Sequence, residues 1–339
     1  MSLAGPAPAA APDVLSRAAA VREQVAYSGE QVLVAWDGGR AQVAWVHVQH
    51  DPAVGTRLVY RTGPDPHGRR VVWQLPDRTV EYEVRSRSGR VYLPHPVRLS
   101  ARAQLDRLFR NYEVTTTPSH ALGRSAVRVR IRPRYPGRPR ADLRVDAQTG
   151  VILRSDRLSA DGRSRELAAF VSFVPRPVGW MRGWRVPEGL RLRSEPALQP
   201  ATPEQAAARL GRRPPEVALP AGFLPITDYL LDPSGGSVRR LYSDGLATLA
   251  LSVRPGASTG PPAGSRLLQT GAGPVWLQSA GIRHALYWTG QGWTYTLAGE
   301  LSPEVLLRVA QRAGIQSPPS GLDRLVDWLL RTIGLESDT

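Results

Sequence analysis

Six short runs between residues 31 and 94, QVLVAW, QVAWVHVQ, TRLVYRT, RVVWQLP, TVEYEVRS and RVYLP, are alternating, β-branched or aromatic, with Gly, Pro or Asp between them. That pattern predicts an antiparallel meander. Ahead of it, Leu15, Ala18, Ala19, Arg22 and Val25 fall at helical spacing, with Asp13 as the expected cap and Tyr27-Ser28-Gly29 as the expected stop. A second helix is predicted from about Ser100 to Asn111, with Leu105, Leu108 and Phe109 on one side. The runs AVRVRIRP, ADLRVD, VILRSDRL and ELAAFVSFV then add strands, with Asp161-Gly162 as a hairpin turn. Several strands are apolar on both faces, Val43 and Trp45 against Ala44 and Val46 for example. Each side of the sheet should therefore be covered, as in a sheet wrapped round helices.

From Pro175 to about Pro220 the chain becomes rich in Pro, Arg and Gly, with isolated Trp180 and Trp184, and reads as a linker. Within it Thr202, Pro203 and Gln205 predict one capped helix. Strands return in RRLYSDGLATLALSVRP, GPVWLQ, RHALYWT and WTYTLAGE, followed by a helix capped by Ser302. The tail GLDRLVDWLLRTIGLE places Leu322, Leu325, Val326, Leu329, Leu330 and Ile333 on one helical stripe, for docking on the core or as a surface helix for a partner or bilayer. The expected layout is a flexible tail (1–12), a first domain (13–175), a linker (176–220), a small α+β domain (221–314) and an amphipathic helix (315–339).

Composition adds an asymmetry of charge. The net charge of +15 over 339 residues sits in the first half, where residues 1–180 hold 28 Arg against 16 acids. Every basic residue is Arg, a bias that a GC-rich genome also produces, so the high pI alone does not argue for nucleic acid. The densest stretch is VRVRIRPRYPGRPR, where Arg128, Arg130, Arg132 and Arg134 alternate with Val127, Val129 and Ile131, and Arg138 and Arg140 follow. The alternation puts the arginines on the outward face of a strand. They make a solvated face, or one for an acidic protein or lipid headgroup. Single-strand binders interleave aromatics with such arginines, and here Tyr135 alone does so, while Trp36, Trp45 and Trp73 look core-facing.

Catalytic chemistry finds little support. Cysteine is absent, which removes thiolate catalysis, disulfides and Cys-ligated zinc. Gly256-Ala257-Ser258-Thr259-Gly260 matches a nucleophile elbow, but Pro261 and Pro262 deny it the following helix. His47 and His50 project to opposite faces of one strand and cannot share an ion; no metal or cofactor site is expected. Glu81 and Glu83 continue into Arg85 and Arg87 on one face, a salt-bridged exterior. No stretch reaches the roughly 20 apolar residues of a spanning helix. The amino end is no intact signal peptide, and Met1-Ser2-Leu3 is a candidate cloning scar where an export signal was removed.

Motif order says more than any single motif. Tyr27-Ser28-Gly29, VHVQHDPAVGTRLVY, Leu75-Pro76-Asp77, NYEV, GRSAVRVRIRPR, LRVDAQTGVILRSDRL, LPAGF, the strand following Tyr242-Ser243-Asp244-Gly245, and Gly299-Glu300 within TLAGELSPEVLLRVA occur in sequence. In that order the chain resembles the MucB/RseB family of regulators of envelope-stress sigma factors. The resemblance implies an α+β protein: an unclosed antiparallel half-barrel packed on helices, like the LolA-type lipoprotein carriers, plus a smaller C-terminal domain. It implies a non-enzymatic extracytoplasmic protein, periplasmic where that compartment exists. Such a protein binds the extracytoplasmic part of a membrane anti-sigma factor, shields it from proteolysis, and senses a lipid or peptide ligand. The motif residues are expected to be turns and caps. A lipid carrier is the competing reading, and the arginine ladder is the candidate partner face.

Overall fold

A computed structural model describes residues 10–37, 40–61, 69–93, 99–232, 234, 236–256, 262–270 and 273–313. The first unit begins with α1 (Ala11–Gln24) and six strands, β1 (Ala26–Asp37), β2 (Arg40–Asp51), β3 (Gly55–Arg61), β4 (Arg69–Gln74), β5 (Thr79–Glu83) and β6 (Ser88–Tyr92). After α2 (Ala101–Asn111) come β7 (Tyr112–Ala121), β8 (Arg124–Pro133), β9 (Arg140–Asp146), β10 (Ile152–Leu158), β11 (Arg165–Arg176) and β12 (Arg191–Ser194). Their order is β12-β6-β5-β4-β3-β2-β1-β11-β10-β9-β8-β7, antiparallel except for β12 beside β6. The two ends of that order do not pair, so the sheet is open, as expected.

Both helices lie on the inner face. Val14 and Leu15 of α1 and Leu108 of α2 bury against Val129, Ile131, Leu143 and Val145. Val21 packs on Val46, Val48, Leu153 and Phe170. Helix α2 matches its predicted bounds because the Ser100 hydroxyl accepts the Ala103 N–H. Two details of α1 differ from expectation. Its N-cap is Ala10, with Asp13 inside the first turn, where a carboxylate favours the helix dipole. It ends at Val25, and Tyr27-Ser28-Gly29 belong to β1. Strand pairing wins there because the Tyr27 ring meets His50, Phe170 and Phe173. Gly29 sits beside a bulge against β11, where a Cβ would lie 2.2 Å from the Ser172 carbonyl oxygen.

The stretch expected as a linker is built into both units. Residues 178–190 form a strap over the outer face of β3 to β6, with Met181 fully buried and Trp180 and Trp184 packed against Val59, Val71, Trp73, Val80 and Tyr82. The strap is fixed by Asp51, whose carboxylate accepts the N–H groups of Ala53, Gly179 and Met181. The Arg57 guanidinium lies between the Trp73 and Trp184 rings. Pro and Gly suit this path because it follows turns, while the tryptophans supply the burial.

The second unit is an eight-stranded sheet ordered β13-β14-β15-β16-β20-β19-β18-β17. Its strands are β13 (Gln199–Ala201), β14 (Leu224–Leu231), β15 (Val238–Ser243), β16 (Thr248–Pro255), β17 (Arg266–Thr270), β18 (Gly273–Ala280), β19 (Arg283–Gly290) and β20 (Trp293–Gly299). Helices α3 (Pro203–Leu210) and α4 (Pro303–Arg312) cover it, α3 with the predicted capping box of Thr202 and Gln205. Trp288 stacks on Tyr295 within a core that includes Leu249, Leu286, Leu297 and Leu306. Ser302 is the N-cap of α4 by position, but its side chain makes no cap hydrogen bond. The amphipathic stripe at 315–339, residues 1–9, and Ala257 to Pro261 of the elbow match lie outside the described residues.

Candidate functional site

The inner face of β1 runs Tyr27, Gly29, Gln31, Leu33, Ala35, and an open cavity lies at each end of this strip. The first, about 350 Å³, is walled by Val21, Tyr27, Val48, His50, Leu58 and Phe170. His50 is buried and fully engaged: its Nε2–H donates to the Arg22 carbonyl, and its Nδ1 lies 2.8 Å from the Thr56 hydroxyl. Burial holds its imidazole below its ordinary value. The second cavity, about 460 Å³, has Leu33, Ala35, Ala44 and Ala168 along one side, with Arg157 and Glu166 from the first unit and Arg283 from the second. The second is mainly apolar with a few polar groups at its margin, suited to holding a chain-like ligand, whereas the first also has Arg22, Gln31, Thr56 and Gln74 in its wall.

His47 and His50 diverge as predicted. His47 Nδ1 lies 2.8 Å from Glu30 Oε1 on the outer face. Among the described residues no group of His, Asp and Glu is arranged to hold a metal. Glu81 pairs with Arg70 on the neighbouring strand.

The arginine ladder is less available than its sequence implies. Arg128 is tied by its guanidinium to Asp142 on β9, with Nε 3.0 and 2.8 Å from the two carboxylate oxygens. Arg130 is half-buried. The same interlacing continues across the outer face, where Asp146 takes Arg124 and Asp156 takes Arg165 and Arg154. Arg132, Arg134 and Arg140 are exposed. Arg138 does not belong to an outward face at all. It is 3% exposed and turned into the seam between the two units, because Tyr135 to Pro139 breaks the alternation that orients the preceding arginines.

That seam gathers the C-terminal motif residues. The turn between β15 and β16 carries Ser243-Asp244-Gly245 and docks on α2. Asp244 is fully buried, 3.1 Å from Arg138 Nη1, and accepts the Tyr112 hydroxyl at 2.9 Å and the N–H groups of Leu246 and Ala247. Burial pushes the Asp244 carboxyl above its ordinary value; burial and the neighbouring carboxylate raise the Tyr112 phenol as well. Gly245, at φ 103°, lets the turn approach closely, since a Cβ there would lie 2.2 Å from the Leu108 nitrogen. Arg107 donates to the carbonyls of Leu224, Pro225 and Ser243, and Asn111 Nδ2 to those of Gly222 and Asp244. Glu300 receives both terminal nitrogens of Arg157, at 3.1 and 2.9 Å. The Ser302 N–H donates to Gly137. These motif positions are contacts between units as well as turns. By contrast Leu75-Pro76-Asp77 is a turn between β4 and β5, closed by the Leu75 N–H on the Arg78 carbonyl.

Sequence reasoning missed Asp51, Arg107, Asn111 and Arg157. The only available signal was Asn111, a polar residue ending an amphipathic helix where an apolar one or a glycine is commoner.

The profile of the MucB/RseB N-terminal domain matches residues 10–187, more than half of the chain, and runs into the strap. The fold is similar to that of MucB in complex with MucA(peri), at 20% identity and a TM-score of 0.58, covering 89% of this chain and 97% of that one. It is also similar to the complex of Pseudomonas aeruginosa MucA/MucB, at 20% identity and a TM-score of 0.57, with 88% and 96% covered. No curated protein sequence matches the chain significantly. With its first unit matched from α1 into the strap, and both units laid out as in the MucB structures, the chain belongs to the MucB/RseB family.

Proposed function

We propose that this protein is an extracytoplasmic regulator that binds the extracytoplasmic part of a membrane-anchored anti-sigma factor and so modulates an envelope-stress sigma factor. The observation that carries the reading is the likeness over both units to MucB solved together with MucA(peri). The inner face supports it by offering cavities in which a segment can be held. In this reading Arg132, Arg134 and Arg140, with Arg128 and Arg130 behind them, meet an acidic segment of the partner and raise its association rate and selectivity. Arg138 is excluded, since it is committed to Asp244.

The test is titration calorimetry of the chain with the extracytoplasmic segment of a single-span protein encoded beside it. Saturable binding is expected, and its absence overturns the reading. Replacing Arg132, Arg134 and Arg140 by Ser should weaken binding at low salt; unchanged affinity removes the ladder from the mechanism.

A second reading, a carrier of an acyl chain, is favoured by the mainly apolar cavity of about 460 Å³ along β1, β2 and β11. Burial supplies about 0.8 kcal/mol per methylene, enough for a long chain to bind without a catalytic residue. Organic extraction of the purified protein followed by mass spectrometry decides it, and a lipid-free extract counts against the carrier.

A further inference from the structure

The outer face of the large sheet is covered in one place and, among the described residues, partly exposed in another. Over β3 to β6 the strap supplies Trp180, Met181 and Trp184. Over β11, β1 and β2 the strand register sets Leu167, Val34 and Val43 in one row and Ala169, Val32 and Trp45 in the next. None of these six joins a buried core among the described residues, and Val43 and Trp45 are 52% and 47% exposed. The sequence leads one to expect a cover here, since both faces of these strands are apolar. Exposed apolar patches of this kind mark interaction sites.

The rim identifies the chemistry of what covers it. Arg61 stands opposite Trp45 on β3, Arg154 opposite Ala169 on β10, and Arg165 opposite Trp36. The three side chains are 50%, 43% and 39% exposed, so each guanidinium has donors toward solvent beyond its contact with Glu30 or Asp156. The half of the chain that carries this face holds 28 Arg against 16 acids. A sheet face presenting valines and a half-exposed indole, bordered by three guanidiniums that outnumber their two carboxylate partners, offers apolar contact at its centre and phosphate contacts at its edge. Trp and Arg are the residues that settle at a headgroup boundary, and anionic lipid attracts such a rim. We propose that the outer face of β11, β1 and β2 docks on an anionic bilayer surface, held by Val43 and Trp45 and steered by Arg61, Arg154 and Arg165. Val34, Val43 and Leu167 also border the second cavity, but the proposal does not depend on the anti-sigma reading.

The test is co-sedimentation of the full chain with vesicles of phosphatidylglycerol and phosphatidylcholine, against phosphatidylcholine alone, at low and high salt. The wild-type protein is expected to partition onto the anionic vesicles only, and to be released by salt. The Val43→Ser/Trp45→Ser variant should partition about tenfold more weakly. Removing Arg61 or Arg154 by substitution with Ser should weaken it about fivefold each. Both sets of side chains are exposed, so melting temperatures should not move. No partition by the wild type, or equal partition by the double variant, overturns the proposal. So does a large fall in melting temperature of the double variant, which would mean that the chain itself covers this face. A wild-type dimer that the variant converts to a monomer in sedimentation velocity overturns it too, by making the occupant a second copy.

Discussion

Asp51 and Asp244 are both fully buried, yet their carboxyls shift in opposite directions. At Asp51 burial alone would raise the carboxyl, but the N–H groups of Met181, Ala53 and Gly179 stabilise the anion and hold it below its ordinary value. A depressed folded value means that Asp51 contributes stability above the unfolded carboxylate range and loses it as pH falls through the folded value. At Asp244 burial dominates and the folded value is raised, so its contribution is present at low pH and diminishes as pH rises through that value. Acid should therefore loosen the strap before the seam. Hydrogen exchange below about pH 4 should show faster exchange at Gly179 and Met181 than at Leu246 and Ala247; the reverse order would contradict the assignment. Asp51→Ala, which strands three donors, should lower stability by about 2–3 kcal/mol in urea unfolding. Asp51→Asn, which keeps an acceptor oxygen, should cost less.

At the scale of elements, periodicity located most of the strands because each has one face that must be buried. Helix α2 and the box of Thr202 and Gln205 were visible because capping is local chemistry between residues three apart. Three features were not visible, for physical reasons. The strap has the Pro/Gly composition of a linker, and its burial comes from tryptophans whose partners lie in β3 to β5, far away in the chain. Trp45 and Val46 are both apolar, and alternation separates two faces without saying which one the fold covers; Val46 is buried and Trp45 is not. The ladder's alternation is genuine through Arg132, but strand pairing sets Asp142 opposite Arg130 and within reach of Arg128, which sequence spacing cannot show. Arg128→Ser should leave the melting temperature nearly unchanged, because an ion pair at a partly solvated sheet face contributes little. A marked loss of stability would mean that the lattice of arginines and aspartates on this face holds the sheet together.

For the whole molecule, the seam decides whether the two units act as one. Arg107, Asn111, Tyr112 and Arg138 meet the Ser243-Asp244-Gly245 turn, and Arg157 meets Glu300, so the most specific family motifs coincide with the junction. Asp244→Ala leaves Arg138 buried without its counter-charge and should destabilise by about 3–5 kcal/mol, whereas replacing both by apolar residues of similar volume should cost much less. In calorimetry the single variant should split one unfolding transition into two, as the units uncouple. One undivided transition would show that the seam does not couple them.

The proposed function is that this scaffold binds a segment of an anti-sigma factor, and a bound segment should be protected from cleavage. The direct measurement is the rate at which a site-specific protease cuts the extracytoplasmic segment of a membrane anti-sigma factor from the same organism, with and without an excess of this chain. Slower cleavage that saturates with added protein, while an unrelated substrate is cut at its usual rate, is the predicted result. Cleavage of the segment at an unchanged rate when the chain is in large excess would contradict it.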